Sequence, residues 1–365
     1  MAGNSGFAEL DQAMDRAVAD GVFPAGVLLC ARRESIFYYR AAGRLGQTEP
    51  AGLDAVFDLA SLTKPLATAL AVADLIQRGR IRLETPLGQI LHETRDTNKA
   101  VITIDMLLRH TSGLAAHRAY YKQVQTPGRA LGRPMIRQML IDEPLEARPG
   151  GRECYSDLGY MMLAWVAERL SGCDLDRYVT DRIYRPLAIE RLGFIPLDAP
   201  VPDWCRQAAP TMDCPWRNRG IRAEVEDENA WAAGGVDGHA GLFGTATAVH
   251  RLCREIMSAL NGSGARVLAP GVMKNFIRRD PGRIRVAGFD TPSGNEPAAG
   301  IQAPKTTIGH LGFTGTSFWM DPASGLISIL LTNRVHPVRE NLLIRTFRPL
   351  IHDLVFEAFK RIKPL

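Results

Sequence analysis

The spacing of apolar positions changes along the chain, and the changes outline its elements. Phe7, Leu10, Met14, Ala17 and Val18 share one stripe at helical spacing, which predicts an amphipathic helix near the N-terminus. Residues 27–39 (VLLCARRESIFYY) place two apolar runs around Arg32-Arg33-Glu34-Ser35, the pattern of a β-hairpin. Pro65 to Gln77 then reads as a long apolar-faced helix. Proline suits its first turn, and Gly79 is a natural stop. Helical spacing dominates from about 64 to 190 and is clearest at 161–170 (MMLAWVAERL). Residues 195–245, rich in Pro, Gly, Trp and charge, read as long loops. Strands return at 316–320 and 326–332 around a turn at 321–325, and 338–359 reads as a closing helix. Strands at both ends around a helical middle predict an α/β (α+β) fold in a single unit spanning 1–365. Its sheet lobe is expected from about 1–60 and 240–365, and its helical lobe and loops from 61–239.

Composition narrows the class. Apolar residues are 46% and charged residues 23% of 365, so the chain can bury a large core without disulfide staples. A net charge of +5 over that length is weak. The most basic stretch, 274–285, is interrupted by Asp280 and Pro281 and reads as solvated surface, so nucleic acid is not an expected partner. No apolar window approaches 18 residues, so no membrane span is expected. The opening segment lacks a basic region followed by an apolar run, which points to the cytoplasm. Cysteines 30, 154, 173, 205, 214 and 253 form no C-x-x-C pair and no zinc spacing. They read as reduced, mostly buried thiols, although Cys205 and Cys214 are close enough in sequence to bridge. No metal or other cofactor is expected. His92-Glu93 with Asp96 is not the H-E-x-x-H of a zinc hydrolase. The pattern does not set oligomeric state.

Three segments could carry chemistry. Ser61 and Lys64 are three residues apart, so on a helix they share a face and the ammonium can reach Oγ. A serine hydroxyl becomes a strong nucleophile only when a neighbour takes its proton, and a helix N-terminus favours the developing negative charge. Alone, such a pair is as readily an N-cap serine with an exposed lysine. Tyr155-Ser156-Asp157 sits on a turn entering a helix. A tyrosine serves as a base where nearby cations favour its phenolate, although most such tyrosines are simply half-buried aromatics. The third segment, residues 309–316 (GHLGFTGT), brings glycines around His310 just before a strand, where backbone N–H groups can approach a bound carbonyl. Its glycines precede a strand rather than follow one, so it fails the context of a nucleotide loop.

Together these segments resemble the serine β-lactamase and penicillin-binding-protein superfamily, most closely its class C β-lactamase-like esterase and amidase branch. That family carries S-x-x-K, then Y-x-N, then K-T-G or H-x-G. Here the order is Ser61-Leu62-Thr63-Lys64, Tyr155-Ser156-Asp157 and His310-Leu311-Gly312. The segments 57–60 (FDLA), 110–114 (HTSGL) and 312–316 (GFTGT) look like the same family. So do 226–230 (EDENA), 234–243 (GGVDGHAGLF) and 332–337 (TNRVHP). Some relatives with these last stretches resemble N-acetylmuramoyl-L-alanine amidases.

The resemblance implies an antiparallel sheet flanked by helices, plus a mostly helical lobe. It implies a serine hydrolase working through an acyl-enzyme on a small ester, amide or muropeptide. Ser61 attacks, Lys64 holds a positive charge beside Oγ, and Tyr155 takes the proton. The N–H groups of Ser61 and Phe313 would bind the oxyanion, and His239 could line the pocket. Two departures matter. Asp157 replaces the asparagine, which would keep Lys64 protonated and removes an amide donor. His310 replaces lysine and, with only fractional charge near neutrality, would hold a substrate carboxylate less firmly. Both favour an ester or amide over a β-lactam. β-Lactamase or D-Ala-D-Ala carboxypeptidase activity is the alternative. A non-catalytic sensing homologue is a further one, though this chain keeps serine, lysine and tyrosine.

Overall fold

The hairpin expected over 27–39 forms with longer arms in the computed structural model, which describes residues 7–46 and 48–362. Its strands, Ala25–Arg32 and Ser35–Leu45, join an eight-stranded antiparallel sheet. The order across that sheet is Glu49–Pro50, Ser35–Leu45, Ala25–Arg32, Leu326–Thr332, Ser317–Asp321, Ile308–Leu311, Phe289–Asp290 and Arg285–Val286. Strands from the two chain ends meet at its centre, where Leu28 lies opposite Leu330 and Leu29 opposite Ile329.

Alternation along these strands feeds two cores. Val27, Leu29, Ala31, Ile327, Ile329 and Leu331 face the larger core, on the side of the helix Ala246–Asn261. Leu28, Cys30, Leu326 and Leu330 face the terminal helices Ala8–Ala19 and Ile344–Arg361, through Leu10, Met14, Ile351 and Val355. Burial on both faces explains why 326–332 is mostly apolar rather than alternating.

The helix expected from Pro65 begins irregularly. A 3₁₀ turn Ala60–Leu62 and a π-helical turn Lys64–Thr68 lead into the α-helix Ala69–Gln77. The helix Asp157–Ser171 starts where Ser156 Oγ accepts the Gly159 N–H at 3.2 Å, and ends at Gly172, whose φ is 75°.

Two expectations need correction. The closing helix starts at Ile344, because the Arg334 guanidinium holds the carbonyls of Arg339 and Asn341 at 2.6 and 2.7 Å and draws the preceding residues into a loop. The stretch 195–245 is largely irregular but contains the helix Glu228–Ala232 and the strand Leu242–Gly244. That strand pairs with Phe57–Asp58 and Leu192–Phe194 in a small second sheet. Elements of three to five residues have too few positions to show a period. All six cysteines are free. No described helix is long and apolar enough to cross a membrane.

Candidate active site

Ser61 lies just past the strand Phe57–Asp58, on the edge where the small sheet meets the large one. Asp58 shapes the turn that carries it. One Asp58 oxygen accepts the Ala60 N–H at 2.8 Å and the other accepts the Glu226 N–H at 2.7 Å. Ala60 takes a φ of 47°, in the left-handed region that non-glycine residues rarely enter. Burial pushes the Asp58 carboxyl up to about 6, while the two N–H bonds pull it back.

The next turn brings Lys64 beneath Ser61. Its ammonium is fully buried and lies 3.0 Å from Ser61 Oγ, 2.8 Å from Asp157 Oδ1 and 3.2 Å from the His239 carbonyl. Burial works against its charge, but the Asp157 carboxylate outweighs it and holds Lys64 above its ordinary value. Burial opposes the Asp157 charge too, yet Lys64 and His117 keep that carboxyl well below the carboxylate range. Asp157 and Lys64, expected to pair, are thus in direct contact.

Tyr155 is bracketed by His110. The His110 carbonyl accepts the Cys154 N–H at 2.8 Å, His110 Nδ1 accepts the Ser156 N–H at 2.9 Å, and the His110 ring lies 4.6 Å from the Tyr155 ring. Lys64 Nζ is 4.8 Å from the Tyr155 ring centre. Here the electrostatic expectation reverses. Burial and Asp157 raise the Tyr155 hydroxyl, and the pull of Lys64 and Ser61 does not offset them. Tyr155 rests as a phenol.

His310, on the strand Ile308–Leu311, also departs from expectation. Its Nδ1 donates to the Leu311 carbonyl at 2.8 Å, which leaves Nε2 as an acceptor. Burial pushes its value down to about 4, so at neutral pH it is uncharged rather than fractionally charged. Gly312 sits where a Cβ would come 2.0 Å from Thr316 Oγ1 and 2.6 Å from the Leu59 carbonyl, so only glycine lets this strand close on the nucleophile turn. Thr314 Oγ1 donates to the Asp58 carbonyl at 2.7 Å and Thr316 Oγ1 to the Leu59 carbonyl at 3.1 Å, which completes that seam. The Phe313 carbonyl accepts from Arg334 Nε at 2.8 Å; among the described residues its N–H has no partner.

His239 enters through its backbone. Its carbonyl reaches Lys64, while its ring is 1% exposed and bonds Asp227 Oδ1 through Nε2 at 2.9 Å. Burial opposes charge on that ring, but Asp227 and Asp237 raise it to about 10, so it is a cation beside Asp157. Asp58, His110 and His117 also contact the site residues or their neighbours, and no motif assigns them a task. The first two lie inside quoted segments. His117 follows one such segment by three residues and belongs to no motif.

The family model described as Beta-lactamase matches residues 10–351. The chain is 31% identical over 304 residues to a protein of Salmonella agona (strain SL483) named "Putative D-alanyl-D-alanine carboxypeptidase", covering 77% of this chain and 70% of that one. Among solved structures it is similar to EstCE1, a hydrolase with promiscuous acyltransferase activity, with a TM-score of 0.75 and 22% identity over 96% of this chain and 99% of that one. It is also similar to an octameric penicillin-binding protein homologue from Pyrococcus abyssi, with a TM-score of 0.68 and 16% identity over 89% and 73% of the two chains. These two likenesses show the fold: mixed helix and antiparallel sheet. The chain belongs to the Beta-lactamase family, and it is a serine hydrolase.

Proposed function

We propose that the chain acts as a single catalytic unit that hydrolyses an ester or amide lacking a carboxylate, through an acyl-enzyme on Ser61. One apolar core running from the sheet into the helical part supports the single unit. The observation that carries the chemistry is the 3.0 Å contact between Lys64 Nζ and Ser61 Oγ, with Asp157 holding that ammonium from behind. A lysine so held stays charged. It stabilises the oxygen that loses its proton and does not remove the proton itself.

A resting phenol calls for exchange rather than simple abstraction. As Ser61 Oγ bonds the carbonyl carbon, its proton passes to the Tyr155 oxygen. In the same exchange the Tyr155 hydroxyl proton passes to the leaving oxygen or nitrogen, whose bond to carbon breaks, so that Tyr155 is a neutral phenol before and after. Water then attacks the acyl carbon and the exchange runs in reverse, freeing Ser61. The N–H groups of Ser61 and Phe313 would hold the oxyanion, an interaction whose loss typically costs about 10²–10³ in rate. His310 contributes a neutral acceptor. With Asp157 in place of an amide, it supports a substrate without a carboxylate at that position.

The second reading is a D-Ala-D-Ala carboxypeptidase or muropeptide hydrolase, supported by the names of the curated relatives. The two separate in one assay: hydrolysis of p-nitrophenyl acetate, a chromogenic cephalosporin and an acylated Lys-D-Ala-D-Ala peptide by wild type and Ser61→Ala. The first reading predicts that the ester is turned over best and that all turnover disappears in the variant. Preference for the peptide would favour the second. Ester turnover surviving in Ser61→Ala would remove the proposal.

A further inference from the structure

Asp157 divides its two oxygens. Oδ1 accepts from Lys64 Nζ at 2.8 Å, and Oδ2 lies 3.2 Å from His117 Nδ1. With Lys64 3.0 Å from Ser61 Oγ, a continuous polar line runs from a half-exposed imidazole to the buried nucleophile. The segment around His117 is fixed on both sides. The Asp157 N–H donates to the Ala116 carbonyl at 2.9 Å, which ties the residue before His117 to the helix that carries Asp157. On the other side, Asn229 Nδ2 donates to the Arg118 carbonyl at 2.7 Å, and Asn229 Oδ1 accepts the Tyr121 N–H at 2.9 Å. Imidazole and carboxylate are thus held in register by backbone bonds.

We propose that His117 is a positioning residue for acyl transfer: through Asp157 it sets how much negative charge Lys64 and Tyr155 feel, and so how readily Ser61 gives up its proton. This rests on the reading of Ser61 as the nucleophile. A carboxylate shared by two cations opposes the proton exchange at Tyr155 less than one facing Lys64 alone. The charged groups around His117 are Asp157, and Asp227 and His239 from the 226–240 segment. The bond to Asp157 raises His117 above its ordinary value, against burial and the His239 charge. Raising pH through that value removes the His117 proton and leaves the Asp157 charge undivided, so acyl transfer slows.

The test is the pH profile of kcat/KM for p-nitrophenyl acetate in wild type and His117→Asn, whose side-chain N–H can still bond Asp157 but does not titrate. Wild type should lose rate as His117 deprotonates. The variant should lack that limb and run about tenfold slower on its acid side, the order that one nearby unit charge exerts in a protein site. Superimposable profiles would overturn the proposal. Fluorophosphonate labelling of Ser61 and a thermal melt, run on both proteins, keep the failures apart. A labelled, folded variant with an unchanged profile sinks only the role of His117. A wild type that is not labelled at all sinks the reading of Ser61 beneath it.

Discussion

Asp58 bonds the Ala60 N–H at 2.8 Å, and that bond holds the residue before the nucleophile at a φ of 47°. The other Asp58 oxygen takes the Glu226 N–H, so one buried carboxylate joins the nucleophile turn to the segment that leads to His239. Asp58→Asn exchanges one acceptor for a donor facing an N–H. It should cost about 1–3 kcal/mol of stability, the penalty for a buried unsatisfied group. It should also cost on the order of tenfold or more in kcat, because small displacements of a reacting atom are expensive. Denaturant unfolding and steady-state kinetics measure the two. The carboxyl sits at about 6 in the folded protein against 3.8 ordinarily, so the fold binds that proton more tightly. Its contribution to stability is therefore present below the ordinary value and is lost as pH rises from about 4 to 6. Asp58→Asn should flatten the stability profile across that window.

Lys64→Met tests the buried ion pair. It removes the only cation bonded to Asp157 Oδ1 among the described residues and leaves a mostly buried carboxylate with His117 as its remaining bonded partner and the His239 charge nearby. Breaking such a pair costs about 3 kcal/mol or more in stability, discounted somewhat because Asp157 keeps some solvent contact. Activity should fall by about 10³-fold, as when a group stabilising transition-state charge is lost. The Asp157 value is depressed in the folded protein, so the stability it contributes is present above its ordinary 3.8 and is lost as pH falls below it. Acid titration of unfolding should show that loss in wild type and much less of it in the variant.

His310→Lys tests substrate charge. The present imidazole is neutral above about 4, so it supplies no cation to a substrate carboxylate. A lysine there should raise kcat/KM for an acylated Lys-D-Ala-D-Ala peptide relative to p-nitrophenyl acetate by about tenfold, the worth of one added charge contact. An unchanged ratio would mean that the carboxylate is held elsewhere.

The parts of this account legible in the sequence are those set by local rules. The apolar runs at 27–31 and 326–332, the helical spacing along 161–170, and the three-residue step from Ser61 to Lys64 are each legible from neighbouring residues. What was hidden depends on residues far apart in sequence. Asp58 meets Glu226 across 168 positions, and Lys64 meets the His239 carbonyl across 175. No periodicity encodes such meetings. The resting states of Tyr155 and His310 are hidden for a different reason. Their values follow from burial, which motif order does not report. His117 was not legible because it belongs to no motif and meets Asp157 across 40 positions.

The central claim is that Ser61 is an activated nucleophile. Intact mass after incubation with a fluorophosphonate, in wild type and Ser61→Ala, tests it directly. One adduct is expected on wild type and none on the variant. A folded wild type that stays unmodified, or a variant that is modified as fully, would contradict it.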